Sequence, residues 1–303
     1  MPYQTGTTTS ATDLKAIIET FATANGWVGQ GAPVASYGQG LGYFQLTAVS
    51  SDRLRMMGGN GVDGSGNLTG TPGIGGDIWL PSTAWPATYH LFAHTNPVGL
   101  WCVVNYQSEY YQWLGCGDIT KYGAWTGGNW AGGWASASAS LNNQCGMTEL
   151  GAGSAGTANG MSTTGVGAPF YPPMAGAYSQ LYSTFLHCEL DGAIWPGNGT
   201  GSYPLFATYA DPLHARMPSL WNSQSVLTPY WLWLPRANGY GSILGHIEHL
   251  RSVRVDNYTA GDIITLGTAK WKVFPWWRKD TTNRAGGSNT TGTWGFALAY
   301  DGP

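Results

Sequence analysis

Charge is what this chain has least of. Only 10% of its 303 residues are Asp, Glu, Lys or Arg, against roughly 25% in an ordinary soluble domain. Thirteen basic and sixteen acidic residues leave a net charge of −3, which supplies no global field to draw in DNA or an anionic membrane. So few charges are a poor way to keep a free monomer in solution. We therefore expect other subunits to cover much of the surface, the alternative being a monomer solubilised by uncharged polar groups. Cysteine is also scarce. Cys102, Cys116, Cys145 and Cys188 show no C-x-x-C spacing and are too few for a disulfide scaffold, so buried free thiols are expected.

Other absences narrow the function. No run of 18 apolar residues is present, so no membrane insertion is expected. The opening "MPYQTGTTTSATDL" has neither a basic nor an apolar signal region, so no secretory leader is expected. The sequons "NLT", "NGT", "NYT" and "NTT" then read as chance matches. There is no G-x-S-x-G elbow, no Walker A loop and no G-x-G-x-x-G between strand and helix.

What the chain does hold is 46 Gly, 16 Trp and 17 Tyr. Glycine and small polar residues favour bends, and large aromatics favour strands and broad contact surfaces. The length suits one large all-β domain or two smaller ones.

One segment reads as a helix. In "SATDLKAIIETFATANGW", Leu14, Ile17, Ile18 and Phe21 recur on one face. Ser10 and Asp13 form a capping-box-like pair, and Asn25-Gly26 ends the helix. Strand patterns follow. "GYFQLTAVS" alternates as a half-buried strand, and residues 88–115 form a hairpin about "NPVG". "TPYWLWLP" (228–235) is a buried strand, and "HIEHLRSVRVDNYTAGDIITLGTAKWKVFPWWRK" gives successive strands with a turn at "GTAK". "TWGFALAYD" (293–301) is the last strand. The Gly-rich 56–76 reads as an exposed loop, residues 123–168 as irregular, and 178–195 as a short strand pair or a broken helix. The expected fold is mainly β, antiparallel and sandwich-like, with one N-terminal amphipathic helix. We divide it into an N-terminal segment over 1–30, a Gly/Trp-rich β region over 31–200 and a C-terminal β region over 201–303. A single domain is the alternative.

Candidate chemistry is sparse. His246 and His249 in "HIEH" point to opposite faces if they lie on a strand, which argues against a shared metal. His90 and His94 fall on one strand face and read as a hydrogen-bonded surface pair. Glu189 and Asp191 are spaced as a glycosidase carboxylate pair can be, although short acidic pairs are common before turns. Arg251, Arg254, Lys270, Lys272, Arg278, Lys279 and Arg284 cluster beside aromatics as in a single-strand binder, but Asp256, Asp262 and Asp280 are interleaved. We expect no nucleic-acid partner, no metal and no cofactor.

"KWKVFPWWRKD" (270–280) concentrates three tryptophans and four basic residues. Its first half is an amphipathic strand, and after Pro275 "WWRKD" suits a loop or rim. Trp271, Trp276, Trp277 and Arg278 are candidate core or contact anchors, with Trp125, Trp130 and Trp134 as a second patch.

Three stretches carry a resemblance. "TGTTTSATDLKAIIETFATANGW", "TYHLFAHTNPVGLWCVVNYQSEYYQWLGCGDI" and "GDIITLGTAKWKVFPWWRKD…GTWGFALAYDG" resemble the N-terminal helix, central hairpin and terminal β-unit of virion structural proteins of tailed bacteriophages. Together they cover about a third of the chain and carry no catalytic residues. The resemblance implies many copies packed symmetrically with a role at the tail, baseplate or particle surface; we expect a structural subunit at the tail tip or baseplate, packed against copies of itself and other virion proteins. A virion adhesin gripping host-surface glycan and a glycan hydrolase working through Glu189 and Asp191 are the alternatives.

Overall fold

A computed structural model describes residues 1–29, 34–37, 42–73, 75–134, 169, 184–189, 206–207, 226–235, 241–284 and 290–302. In chain order the elements are β1 (Tyr3–Thr8), α1 (Ala11–Ala24), β2 (Trp27–Gly29), β3 (Val34–Tyr37), β4 (Tyr43–Ser50), β5 (Arg53–Gly59), β6 (Gly61–Val62), β7 (Leu68–Thr69), β8 (Gly76–Trp79), β9 (Ala87–Thr95) and β10 (Val98–Tyr106). Then come β11 (Tyr110–Asp118), β12 (Thr120–Lys121), β13 (Gly127–Gly133), β14 (Thr184–Cys188), β15 (Phe206–Ala207), β16 (Thr228–Pro235), β17 (Gly241–Arg254), β18 (Ile263–Leu266), β19 (Ala269–Pro275) and β20 (Trp294–Ala299). The protein is mainly antiparallel β with one N-terminal helix, as its periodicities require.

The helix begins and ends where its sequence says it should. The Ser10 hydroxyl accepts from the Asp13 backbone N–H at 3.1 Å, and the Asp13 carboxylate accepts from the Thr9 N–H at 2.8 Å. The first is a donor that the first turn leaves unpaired, and the second ties the residue before the N-cap back to the helix. Asn25 closes the last turn, and Gly26 takes φ 91°, a left-handed conformation that suits glycine. Leu14, Ile18 and Phe21 are buried.

The strands form three layers. The central sheet runs β1-β9-β10-β11-β13-β14. One of its faces packs on a second sheet, β15-β16-β17-β20-β19-β18; the other packs on α1 and a third sheet, β2-β3-β4-β5-β8. A strand buried on both faces needs no polar alternation, which explains the unbroken "LWCVV" of β10. There Trp101 and Val103 enter the core against the second sheet, while Leu100, Cys102 and Val104 enter the core against α1 and the third sheet. The hairpin expected at 88–115 is the β9–β10–β11 meander, with Asn96 and Pro97 at its first turn. Residues 228–235 form β16, which buries Tyr230, Leu232 and Leu234.

Tryptophan fills the larger core. Trp101 lies 4.9 Å from Trp130, Trp113 lies 6.1 Å from Trp276, and Trp276 stacks on Phe296 at 4.2 Å. Each such pair adds about 0.5–1.5 kcal/mol beyond area burial. A polar ladder crosses all three layers. The buried Gln112 amide accepts from Trp79 N–H at 2.7 Å and donates to Trp79 C=O at 2.9 Å, acting as an extra strand residue for the edge of β8. It also contacts the Tyr106 hydroxyl at 3.4 Å, which accepts from Trp277 Nε1 at 3.1 Å.

Two stretches differ from expectation. The Gly-rich 56–76 is not simply an exposed loop: it contains the end of β5, the β6–β7 hairpin and the first residue of β8, with Met56, Gly58 and Gly59 buried. A Cβ on Gly59 would lie 2.4 Å from Leu68 Cγ, so its glycine permits close packing rather than flexibility. Within 123–168, "GGNWAGG" forms strand β13, with a register shift between Gly127 and Trp130 where it pairs with β14, and residues 135–168 lie outside the described residues. Residues 184–188 of the stretch 178–195 form strand β14, whereas 178–183 and 190–195 lie outside.

Pairing crosses the segment boundaries drawn at 30 and 200, since β1 pairs with β9 and β12 pairs with β17. Cys102 and Cys116 are buried free thiols, Cys188 is buried, and Cys145 lies outside the described residues. Among the described residues no helix is long and apolar enough to cross a membrane.

Candidate functional site

The tryptophans singled out in the sequence are mostly interior. Trp130, Trp134, Trp276 and Trp277 are at most 2% exposed, and Trp271 is 9% exposed. The first four lie between the central and second sheets; Trp271 lies on the opposite face of the second sheet, with Val253, Val273 and Ala297. "WWRKD" is thus no open rim at its tryptophans. After Pro275 the chain turns in, Tyr111 N–H donates to Trp277 C=O, and both rings fill the sandwich. Trp125 and Arg278 remain partly exposed.

The basic cluster is spent on internal partners. Arg251 lies over Trp271 at 4.6 Å, Arg254 over Trp294 at 4.5 Å, and Lys272 over Tyr300 at 4.7 Å. Arg284 pairs with Asp256 at 2.5 Å and Arg278 with Glu109 at 3.3 Å. Lys270 is exposed.

The histidines form no shared metal set. His246 sits between Tyr122 and Glu248: the Tyr122 hydroxyl is 3.0 Å from Nδ1, and Glu248 Oε2 is 2.5 Å from Nε2. Thr120 donates to the same carboxylate at 3.2 Å. The relay ties β12 to β17 beside their backbone pairing. His249 instead donates from Nε2 to Pro97 C=O at 2.9 Å and stacks on His94 at 4.0 Å with the rings 9° from parallel. His90 and His94 are not the surface pair expected. They share a face of β9, but that face is turned into the sandwich, leaving His94 1% exposed. Burial pushes His94 down to about 3, assisted by the neighbouring His249, and His90 down to about 4, assisted by Lys272. Glu189 is exposed and 3.3 Å from His187 Nε2, whereas Asp191 lies outside the described residues. Among the described residues no group of three or more His, Cys, Asp or Glu side chains gathers as a metal site would require.

Two surface features stand apart from the core. The first is the β18–β19 hairpin. Residues 265–270 are exposed without interruption, with Leu266 at 55% and Ile263 at 41%. Among the described residues β18 pairs only with β19, so its outer edge is open. Its four residues, Ile-Ile-Thr-Leu, include no charge and no proline, the usual guards of an edge strand. The second is a cleft of about 200 Å³ between the β10–β11 turn and the loop after β17, whose lining includes Ser108, Glu109, Tyr111, Tyr258, Thr259 and Lys279.

Neither feature is set by local sequence pattern alone. The hairpin's turn is legible at "GTAK", but the openness of its edge depends on sheet order. The cleft joins residues about 150 positions apart, which no local pattern reveals. No family model and no curated protein matches the chain.

Proposed function

We propose that this chain is a structural subunit of a tailed-bacteriophage virion, at the tail tip or baseplate, working through interfaces with copies of itself and with other virion proteins. The observation that carries the reading is the exposed β18–β19 hairpin. An unguarded edge with two large apolar side chains beside it is a template for strand addition by a neighbouring subunit. In a free monomer such an edge is a liability; in an assembly it is a joint. The low charge, the three-layer body and the three resembling stretches support the same reading.

The burial of Trp130 and Trp134 weighs against an adhesin that grips glycan through the Trp125–Trp134 patch. Light scattering across a concentration series, with and without host-surface polysaccharide, tests the proposal. A particle mass that rises, without any polysaccharide, to a closed oligomer or a growing assembly is expected. A monomer whose mass changes only with polysaccharide overturns it in favour of the adhesin.

A further inference from the structure

The cleft beside the β10–β11 turn has a chemistry that its place in the fold does not require. Its walls come from the central sheet on one side, with Ser108, Glu109 and Tyr111, and from the 258–260 loop and Lys279 on the other. Pro275, Val273 and Val255 line its apolar part. The two tyrosines are only partly buried, and neither hydroxyl has a hydrogen-bond partner among the described residues. Burial pushes the Tyr111 hydroxyl up to about 12, so it stays protonated and able to donate.

The charged groups of the cleft are already answered. Glu109 pairs with Arg278 at 3.3 Å, and Lys279 Nζ donates to Asp256 C=O at 2.9 Å and Tyr258 C=O at 2.8 Å. A strongly charged ligand would have to compete with these pairs. A neutral ligand would use the remaining hydrogen-bonding capacity of the same groups.

The lip is held in a conformation that costs energy. Gln107 at φ 48° and Ser108 at φ 69° are both in the left-handed region, where side-chain-bearing residues are disfavoured and persist when the surroundings fix them. Asn105 supplies that fixing, donating from Nδ2 to Ser108 C=O at 3.3 Å and to Tyr110 C=O at 3.1 Å. The turn is therefore braced, and Ser108 is set on the cleft wall before any ligand arrives.

We propose that this cleft binds one neutral pyranose ring, its apolar face against Tyr111 or Tyr258 and its hydroxyls to Glu109, Lys279, Ser108 and Thr259. A sugar ring combines an apolar face with a rim of hydroxyls, which matches aromatic walls edged by paired acid, amine and hydroxyl groups. At about 200 Å³ the cleft is below the usual 300–1,000 Å³ of sites for drug-sized ligands. It therefore suits a single ring or the terminal unit of a chain. The inference is separate from the assembly role, because the lining of the cleft uses neither Ile263 nor Leu266.

The test is saturation-transfer NMR on the full chain with the methyl glycosides of glucose, galactose, mannose, N-acetylglucosamine and rhamnose. At least one should receive saturation, strongest at the protons of one ring face. Tyr258→Ala and Glu109→Gln should each weaken its binding about fivefold or more, the loss expected for about 1 kcal/mol of contact. Glu109 is exposed, so Glu109→Gln should keep the wild-type melting temperature, whereas Tyr258 packs partly on the cluster around Trp271 and Val273 and its variant should melt lower. Tyr258→Ala tests the platform; should it fold poorly, Glu109→Gln decides the question. Absence of transfer to all the glycosides, or transfer unchanged in a folded variant, overturns the proposal. Neither result alters the oligomer mass on which the assembly reading depends.

Discussion

Acid should loosen this protein well before its carboxylates lose their usual charges, and His94 and His90 are the reason. Both rings lie against the sandwich core, and burial pushes His94 to about 3 and His90 to about 4 from an ordinary 6.5. The groups facing His94 give it no compensating carboxylate: His249 stacks on it, the N-terminal amine adds repulsion, and Ala299 C=O provides one acceptor. Its Nδ1 is buried without a partner. His90 faces Lys272, a further cation. Above pH 6.5 neither the folded nor the unfolded state protonates these rings, and they do not affect stability. Below 6.5 the unfolded chain takes up protons that the fold refuses. Stability then falls by about 1.4 kcal/mol per pH unit for each ring until its folded pKa is reached.

At about pH 4.5 this amounts to about 3 kcal/mol for His94 and about 2–3 kcal/mol for His90. Asp118 acts in the opposite sense. Burial raises it to about 6 from 3.8, so the fold binds its proton first and regains about 2 kcal/mol at the same pH. Over these three groups the loss is about 3 kcal/mol, a large part of the 5–15 kcal/mol that holds a typical domain; Asp77, also raised by burial, offsets part of it. His249, also lowered by burial, deepens the loss. The assay is urea unfolding followed by tryptophan fluorescence at about pH 7 and about pH 4.5. His94→Gln keeps a donor for Ala299 C=O but cannot titrate, so it should abolish about 3 kcal/mol of the acid loss. Equal stability at the two pH values, or an acid loss unchanged in His94→Gln, refutes the reasoning.

Other substitutions probe the layers. Gln112→Leu leaves Trp79 N–H and C=O without their partner and should cost about 2–4 kcal/mol in urea unfolding. Gly133→Ala should cost about 1–3 kcal/mol or block folding, because its Cβ would lie 2.5 Å from Leu114 Cδ2 and 2.6 Å from Asp77 N; the melting temperature reads this directly. Trp276→Ala opens a cavity beside Phe296 and Trp113 and should cost about 3–5 kcal/mol. It should therefore unfold the subunit before it touches any interface, and circular dichroism separates the two effects.

The elements legible in the sequence are those whose pattern is local. The helix declares itself through Leu14, Ile18 and Phe21 and through its capping residues. The β9–β10 hairpin does so through Asn96 and Pro97 between two β-branched and aromatic runs. What was not legible depends on partners distant in sequence. β13 looks like irregular glycine because glycines there and on its partner β11 make room for neighbours: a Cβ on Gly133 would meet Leu114, and one on Gly115 of β11 would meet Trp130 and Trp101. Trp276 and Trp277 look like rim residues after Pro275, and only the third dimension brings Tyr106, Trp113 and Phe296 around them. His90 and His94 read as surface because alternation alone does not say that both faces of β9 are covered. The same holds for the cleft and the open edge of β18, which arise from sheet order.

The claim that matters most is that β18 joins one subunit to the next. Ile263→Lys with Leu266→Lys changes two side chains that are 41% and 55% exposed, so the fold itself should be unaffected. Light scattering of the double variant beside the wild-type protein, with melting temperature as the control, tests the claim directly. The wild-type protein should form an oligomer, and the variant, melting at the same temperature, should be a monomer. A wild-type protein that stays monomeric at every concentration, or a folded variant with the wild-type mass, contradicts it.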